Sequence, residues 1–266
     1  MDYTTLKIGE RPRKIGRKIK EIISKEKSHI VYLDENDIIC TSKDSKVVLS
    51  KEFGHIQNLI SSWESICNSL FSKEEAYEIK CLLAEGYGRM FEKNDYSAAK
   101  KIIDQTAVRI KHQGEQILRQ DYLISSLTTT CVIIFILFVT ILSKRVIIQY
   151  VNPRLYEIFI TALFGGVGAF ISTMIRARNY QADISTSRHI HRIDGFLRII
   201  YGLIAGVMIA IGIKANILFG FINHIEANMY VLPFLGAIGG ASEMLLPNII
   251  KQFDTEKVVT LNSSDK

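Results

Sequence analysis

The run Leu123–Leu142 constrains this chain more than any other feature. It holds no Asp, Glu, Lys or Arg, and it has the roughly 20 residues that a helix needs to cross hydrocarbon. Three further apolar segments follow. Ile158–Ile175 stops at Arg176, and Ile199–Ile213 lies between Arg198 and Lys214, short for a span unless Arg198 snorkels. Met229–Ile250 is long enough to cross but contains Pro233, Glu243 and Pro247. Ala215–Ile222 is too short to cross and reads as a helical extension or an interfacial segment.

These patterns predict a mostly α fold. Residues 121–250 form an integral membrane helical bundle of four spans. They follow an N-terminal cytosolic α-rich domain, residues 1–120, that carries a small β-hairpin, and they precede a cytosolic tail, residues 251–266. A two-span reading, with only the first two runs crossing, also leaves both ends on one side.

Charge sets the expected orientation. A secretory signal needs an apolar stretch near the N-terminus, whereas Lys7–Lys27 holds nine Lys or Arg residues. With four spans, Arg109, Lys111, Arg119, Arg176, Arg178, Arg188, Arg192, Arg198, Lys251 and Lys257 flank one side. Only Lys144, Arg145, Arg154 and Lys214 flank the other. The richer side is expected to face the cytoplasm, with both termini and the Arg178–Arg192 loop.

The net charge of +6 does not require a nucleic-acid partner, because an anionic inner leaflet attracts juxtamembrane basic residues by about 1 kcal/mol each. The N-terminal cluster reads the same way. Ile15, Ile19, Ile22 and Ile23 fall on one face of a helix whose other face carries Arg13, Lys14, Arg17, Lys18 and Lys20. That helix either lies on the membrane or docks on its own domain.

In the soluble half, His29–Leu33, the polar turn Asp34–Asp37 and Ile38–Cys40 predict a hairpin, with Lys46–Ser50 as a third strand. From Glu52 the apolar spacing becomes helical, through Ile56, Ile60, Trp63, Cys67 and Leu70. Ser72 followed by Glu75 forms a capping box that starts a helix from Lys73 to about Glu92. Lys93–Asp95 turns into a second helix that begins at Tyr96, giving an antiparallel hairpin similar to one tetratricopeptide-like unit. This second helix runs on through His112 and Arg119 into the first span.

Within the spans, small residues recur four apart: Ala162 and Gly166, Gly168 and Ser172, Gly202 and Gly206, Gly236 and Gly240. Such pairs let helix backbones approach closely, within one chain or between copies of it. A homo-oligomer in the lipid bilayer is therefore expected. Arg198 and Glu243 are the polar residues placed at depth or at the interface, where Glu243 can pair with Arg198 or a loop arginine.

Catalytic and ligand-binding signals are sparse. His189 and His191, two apart, lie on different faces of a helix with no third ligand in view, so no metal is expected. The four cysteines show no paired spacing. No phosphate loop, nucleophile setting or carboxylate pair stands out, so neither an enzyme nor a cofactor is expected.

Three segments carry a resemblance: Phe164–Ser172, His191–Gly206 and Gly239–Pro247. They look like those of a little-described bacterial membrane family with a helical cytosolic hairpin and several spans, and the resemblance covers roughly Glu74 to Ile250. Similar proteins include the transmembrane effector of certain retron phage-defence modules. The resemblance implies an effector held inactive by a cytosolic partner, for retrons a reverse transcriptase with its RNA–DNA product, that damages the inner membrane when triggered. A small channel or transporter and a non-catalytic membrane anchor remain as other readings of the same architecture.

Overall fold

The computed structural model describes residues 2–12, 16–44, 52–93, 95–177, 180, 182–218 and 228–242. Of the described residues 74% are helical, with a small antiparallel sheet near the N-terminus. It divides into two compact units, Met1–Ile117 with Asp183–Ser187, and Leu118–Ala182 with Arg188–Lys266.

In the first unit, strands β1 (Ile19–Lys25), β2 (His29–Asp34) and β3 (Ile39–Lys43) form a sheet in that order, antiparallel throughout. Every residue of the central strand β2 is buried. Ile30 and Tyr32 pack with Tyr3, Ile19 and Cys40 on one face. His29, Val31 and Leu33 alternate onto the other face, where the His29 ring stacks on Phe91 with centroids 5.0 Å apart. With both faces covered, β2 reads as a continuous apolar run rather than an alternating one.

The hairpin turn is built by Asp34, whose carboxylate accepts the backbone N–H groups of Asn36 and Ile38 at 2.9 and 2.8 Å. Asp37 holds a left-handed φ of 57° there, which Asp tolerates better than most residues. The hairpin therefore forms where the sequence places it. Lys46–Ser50, the third strand expected from the sequence, lies outside the described residues.

Among the described residues the sheet's other strand is β1, which takes up Ile19, Lys20, Ile22 and Ile23 of the expected basic amphipathic helix, while Arg13, Lys14 and Ile15 lie outside the described residues. Gly16 has φ 71° and sits inside that segment, which no α-helix passes through. Ile19, Ile22 and Ile23 are β-branched and pair with β2 across two register shifts, at Ile19/Glu21 and Ile22/Ser24. The shifts spoil strict alternation, so the spacing imitates a helix. The described basic residues of that face are paired. Arg17 pairs with Asp34 at 3.0 Å, Lys18 with Glu35 at 2.8 Å and Lys20 with Asp37 at 2.5 Å.

Helices α1 (Phe53–Leu70) and α2 (Lys73–Lys93) pack on each other, and α2 packs on the sheet. The capping box forms: the Glu75 carboxylate accepts the Ser72 backbone N–H at 3.1 Å, and the Ser72 hydroxyl accepts the Glu75 N–H at 3.4 Å. Asp95 caps α3 (Tyr96–Leu142) by accepting the Ala98 N–H at 2.9 Å. Near Gly86 of α2 lies Ile103 of α3, and Arg109 pairs with Glu78, so these two helices run antiparallel. α3 is one continuous helix of 47 residues, and the boundary between the units falls within it.

The second unit holds the last part of α3, the short α4 (Lys144–Tyr150), α5 (Pro153–Ala177), α6 (Arg188–Lys214) and α7 (Asn228–Ala241). Asn152 caps α5, accepting the Arg154 N–H at 2.9 Å, with Pro153 in the first helical position. Among the described residues, α3, α5 and α6 are long and apolar enough to cross a membrane. α7 has 14 residues, about 21 Å of helix, and is too short to do so alone.

α6 does not extend into Ala215–Ile222. Asn216 adopts φ 57°, and the Gly212 carbonyl accepts the N–H groups of Ile217 and Leu218 at 3.0 Å, ending the helix at Lys214. Residues 219–222 lie outside the described part.

Candidate functional site

The second unit is organised around Gly165, where α5, α6 and α7 meet. A Cβ on Gly165 would fall on the Gly202 carbonyl and 3.0 Å from the Gly206 Cα, and a Cβ on Gly240 would fall on the Gly165 carbonyl. Gly202 also meets Ala169. A Cβ on Gly206 would lie 2.6 Å from the Thr161 carbonyl and 2.9 Å from the Ala162 Cα. On Gly236 it would lie 2.5 Å from the Thr161 carbonyl. Helices approach this closely only where side chains are absent. The order of contacts makes α6 antiparallel to α5 and α7 parallel to it, with the end of α7 level with the middle of α5.

Gly168 faces the backbone of Ala237. Gly166 looks toward the side chains of Leu203 and Ile133, 2.9 and 3.0 Å from where its Cβ would sit. Side-chain ends can move, so this site is the more forgiving of the two. Ser172 is buried and lines the cavity described next.

A cavity of about 640 Å³ lies beside this crossing. Tyr122, Tyr180, Asp194 and Arg198 line one part, and Ala169, Gly202, Ile204, Ala205, Gly239 and Gly240 line another. Arg198 donates to the Tyr122 hydroxyl at 2.7 Å. The rings of Tyr122 and Tyr180 stack at 4.6 Å, and the Tyr180 hydroxyl hydrogen-bonds His191 Nδ1 at 2.8 Å. Burial and then the Asp194 charge push the Tyr180 phenol above its ordinary range, while Arg198 pulls the other way.

Next to this cluster, the buried Asp121 carboxylate joins α3 to the start of α6. Arg188 Nε donates to it at 2.6 Å and Arg192 donates at 2.8 and 3.1 Å. Ser125 adds a bond to the Arg192 carbonyl at 2.6 Å. At the other end of α5 and α6, Lys214 pairs with Glu157. A second, more apolar cavity of about 630 Å³ lies there, bordered by Lys144, Glu157, Phe164, Tyr230 and Phe234.

The structure thus brings Ala162, Gly202, Gly206, Gly236 and Gly240 together, and places Arg198 and Ser172 on one cavity. Glu243 lies outside the described residues. His191 is engaged by Tyr180, and no cluster of potential metal ligands occurs among the described residues. Sequence reasoning missed Gly165, Asp121 and Tyr180. The available signal for Asp121 was its place as the last acid before the uncharged run.

No family model matches this chain, and no curated protein or solved structure matches it.

Proposed function

We propose that the chain is an integral protein of the bacterial inner membrane, with its N-terminus in the cytoplasm, that acts as the effector of a retron-like anti-phage defence system. A cytosolic partner, by resemblance a reverse transcriptase with its RNA–DNA product, holds it inactive, and release leads to permeabilisation of the membrane. Met229–Ile250 supplies a fourth crossing, of which α7 is the described part.

The supporting observation is the outward face of the apolar helices. Phe135, Phe138, Ile175, Tyr201 and Met208 are all exposed, and each large apolar side chain left in water forgoes about 1.5–3 kcal/mol. Only 22% of the most apolar window of α3 is buried within the chain, against 56% for α5. Lipid and further copies of the chain cover such a surface, so homo-oligomers belong to this reading.

A constitutive channel or transporter is the second reading, favoured by the cavity that holds Arg198 and Asp194 among apolar helices. Induced expression with a potential-sensitive dye separates the two. The effector reading expects depolarisation and growth arrest from the chain alone, suppressed by its neighbouring genes. Removing residues 1–72 alters that control, whereas disrupting the α5–α7 crossing abolishes the damage. Unchanged potential and growth in every condition, phage infection included, would remove the effector reading.

A further inference from the structure

One buried cation of the first unit is only partly satisfied. Lys80 is 3% exposed, and its ammonium donates to the Asp37 carbonyl in the hairpin turn at 2.7 Å. An ammonium has three donors, and the other two of Lys80 have no partner among the described residues. Glu64 of α1 lies in the field of this charge. Its carboxylate accepts the Ile39 N–H at 3.0 Å and forms no ion pair with the lysine. Buried donors in folded proteins are almost always paired, so the surroundings of the Lys80 ammonium call for an acceptor.

Lys80 lines a cavity of about 330 Å³ between the hairpin turn, the end of α1 and the first turns of α2. Lys73, Ala76 and Lys80 stand at i, i+3 and i+7, one face of α2, and all three border it. Lys73 is exposed and makes no ion pair among the described residues. The acids of the wall are already engaged, Glu35 by Lys18 at 2.8 Å and Asp37 by Lys20 at 2.5 Å. Phe71 extends the apolar wall that Ala76 begins, and the Asn36 and Asn68 carboxamides have no partner among the described residues.

From this arrangement we infer that the cavity binds a short linear dicarboxylate, with one carboxylate on Lys80 and the other on Lys73. The inference concerns the first unit and rests on neither the membrane nor the defence reading. The two lysines lie two turns apart, about 10 Å along the axis, and their side chains lean the same way along the helix. Two ammonium–carboxylate contacts of about 2.8 Å leave about 5 Å between the bound oxygens, which suits a chain of about four or five carbons. Its methylenes lie against Ala76 and Phe71, and the two carboxamides donate to the remaining carboxylate oxygens. A monocarboxylate satisfies only one of the lysines.

The test is titration calorimetry of the full chain in a non-ionic detergent at low salt, with succinate, glutarate, butyrate and inorganic phosphate as probes. The expected result is saturable binding of succinate and glutarate, about tenfold tighter than that of butyrate, the size of one charge-assisted hydrogen bond. Lys73→Gln, a change at an exposed position, brings both dicarboxylates down to the butyrate level and leaves butyrate as it was. Lys80→Gln removes the binding of all three carboxylates, with circular dichroism reporting that the chain stays folded. If that variant unfolds, Lys73→Gln carries the test alone. Equal affinity for glutarate and butyrate overturns the two-lysine site, as does a parental preference in Lys73→Gln. So does the absence of saturable heat with either dicarboxylate up to about 10 mM. Phosphate binding tighter than either dicarboxylate assigns the lysines to a compact anion and overturns the linear ligand.

Discussion

The Asp121 carboxylate on α3 accepts two hydrogen bonds from Arg188 at the start of α6, at 2.6 and 3.2 Å, although the two residues stand 67 apart in the chain. With Arg192 bound to the same carboxylate, this contact fixes where α6 begins relative to α3. Asp121→Asn leaves two guanidiniums facing each other. Asp121 is 6% exposed, but Arg188 and Arg192 are 36% and 51% exposed. The expected loss is therefore about 1–2 kcal/mol, below that of a fully buried pair. A double-mutant cycle with Arg188→Gln, read by thermal unfolding in mild detergent, should show coupling between the two positions. Additive effects would mean that the contact carries no stability.

Packing at the crossing gives a second expectation. Gly240→Leu, Gly206→Leu and Gly165→Leu each drive a side chain into backbone of a neighbouring helix. Assembly and any membrane activity should fall, while the first unit keeps its fold. Gly54 of α1 has nothing within 4 Å of a Cβ, so Gly54→Ala should be neutral or stabilising by up to about 1 kcal/mol. Wild-type behaviour of all three leucine variants in size-exclusion and activity assays would refute the crossing.

How legible this architecture was depends on the range of the interactions involved. The apolar runs, the capping of α2 by Ser72 and Glu75, and the β2–β3 turn at Asp34 are set by residues within a few positions of one another, and sequence shows them. β1 is different. Its pairing with β2 and its two register shifts are tertiary, and the isoleucine spacing without them mimics a helix. The end of α6 at Lys214 turns on Asn216 adopting a left-handed conformation, which an apolar count overlooks. The small-residue spacing marked Gly202, Gly206, Gly236 and Gly240 but not Gly165, because the contact partner of a glycine depends on how three helices cross. Asp121 and Tyr180 draw their importance from partners on other elements, and no local pattern reveals those.

His29 makes the first unit sensitive to acid. Burial lowers its pKa below the usual 6.5, and the charges of Glu26 and Glu92 only partly oppose this. The folded state keeps His29 neutral while the unfolded chain takes up a proton. Its contribution is therefore fully present above pH 6.5 and is lost as pH falls through the lower folded value, by at most about 1.4 kcal/mol per pH unit. Chemical denaturation of the full chain between pH 7.5 and 5 should show this slope, and His29→Gln should flatten it. An unchanged slope in the variant would place the sensitivity elsewhere.

Thiol chemistry offers a fourth check. Burial pushes Cys67 up to about 12 and Cys81 to about 11, and raises Cys40 as well. At pH 7 a thiol with a pKa near 11 is about one part in ten thousand thiolate, so Cys67 and Cys81 should resist alkylation in the folded chain, as should the buried Cys40. Cys131 is exposed on the apolar face of α3. In membranes it should react with a permeant maleimide and not with a charged one. Rapid reaction of native membranes with the charged reagent would place that face of α3 in water.

That low background permits the most direct measurement of whether α5 crosses a membrane, with the basic loop after it on the cytoplasmic side. Tyr150 and Ser187, exposed on the two sides of α5, are each replaced by cysteine, and intact cells are treated from outside with a membrane-impermeant maleimide. Tyr150→Cys should label at once, and Ser187→Cys should label only after the inner membrane is permeabilised. Labelling of Ser187→Cys in intact cells, with or without Tyr150→Cys, would contradict the account.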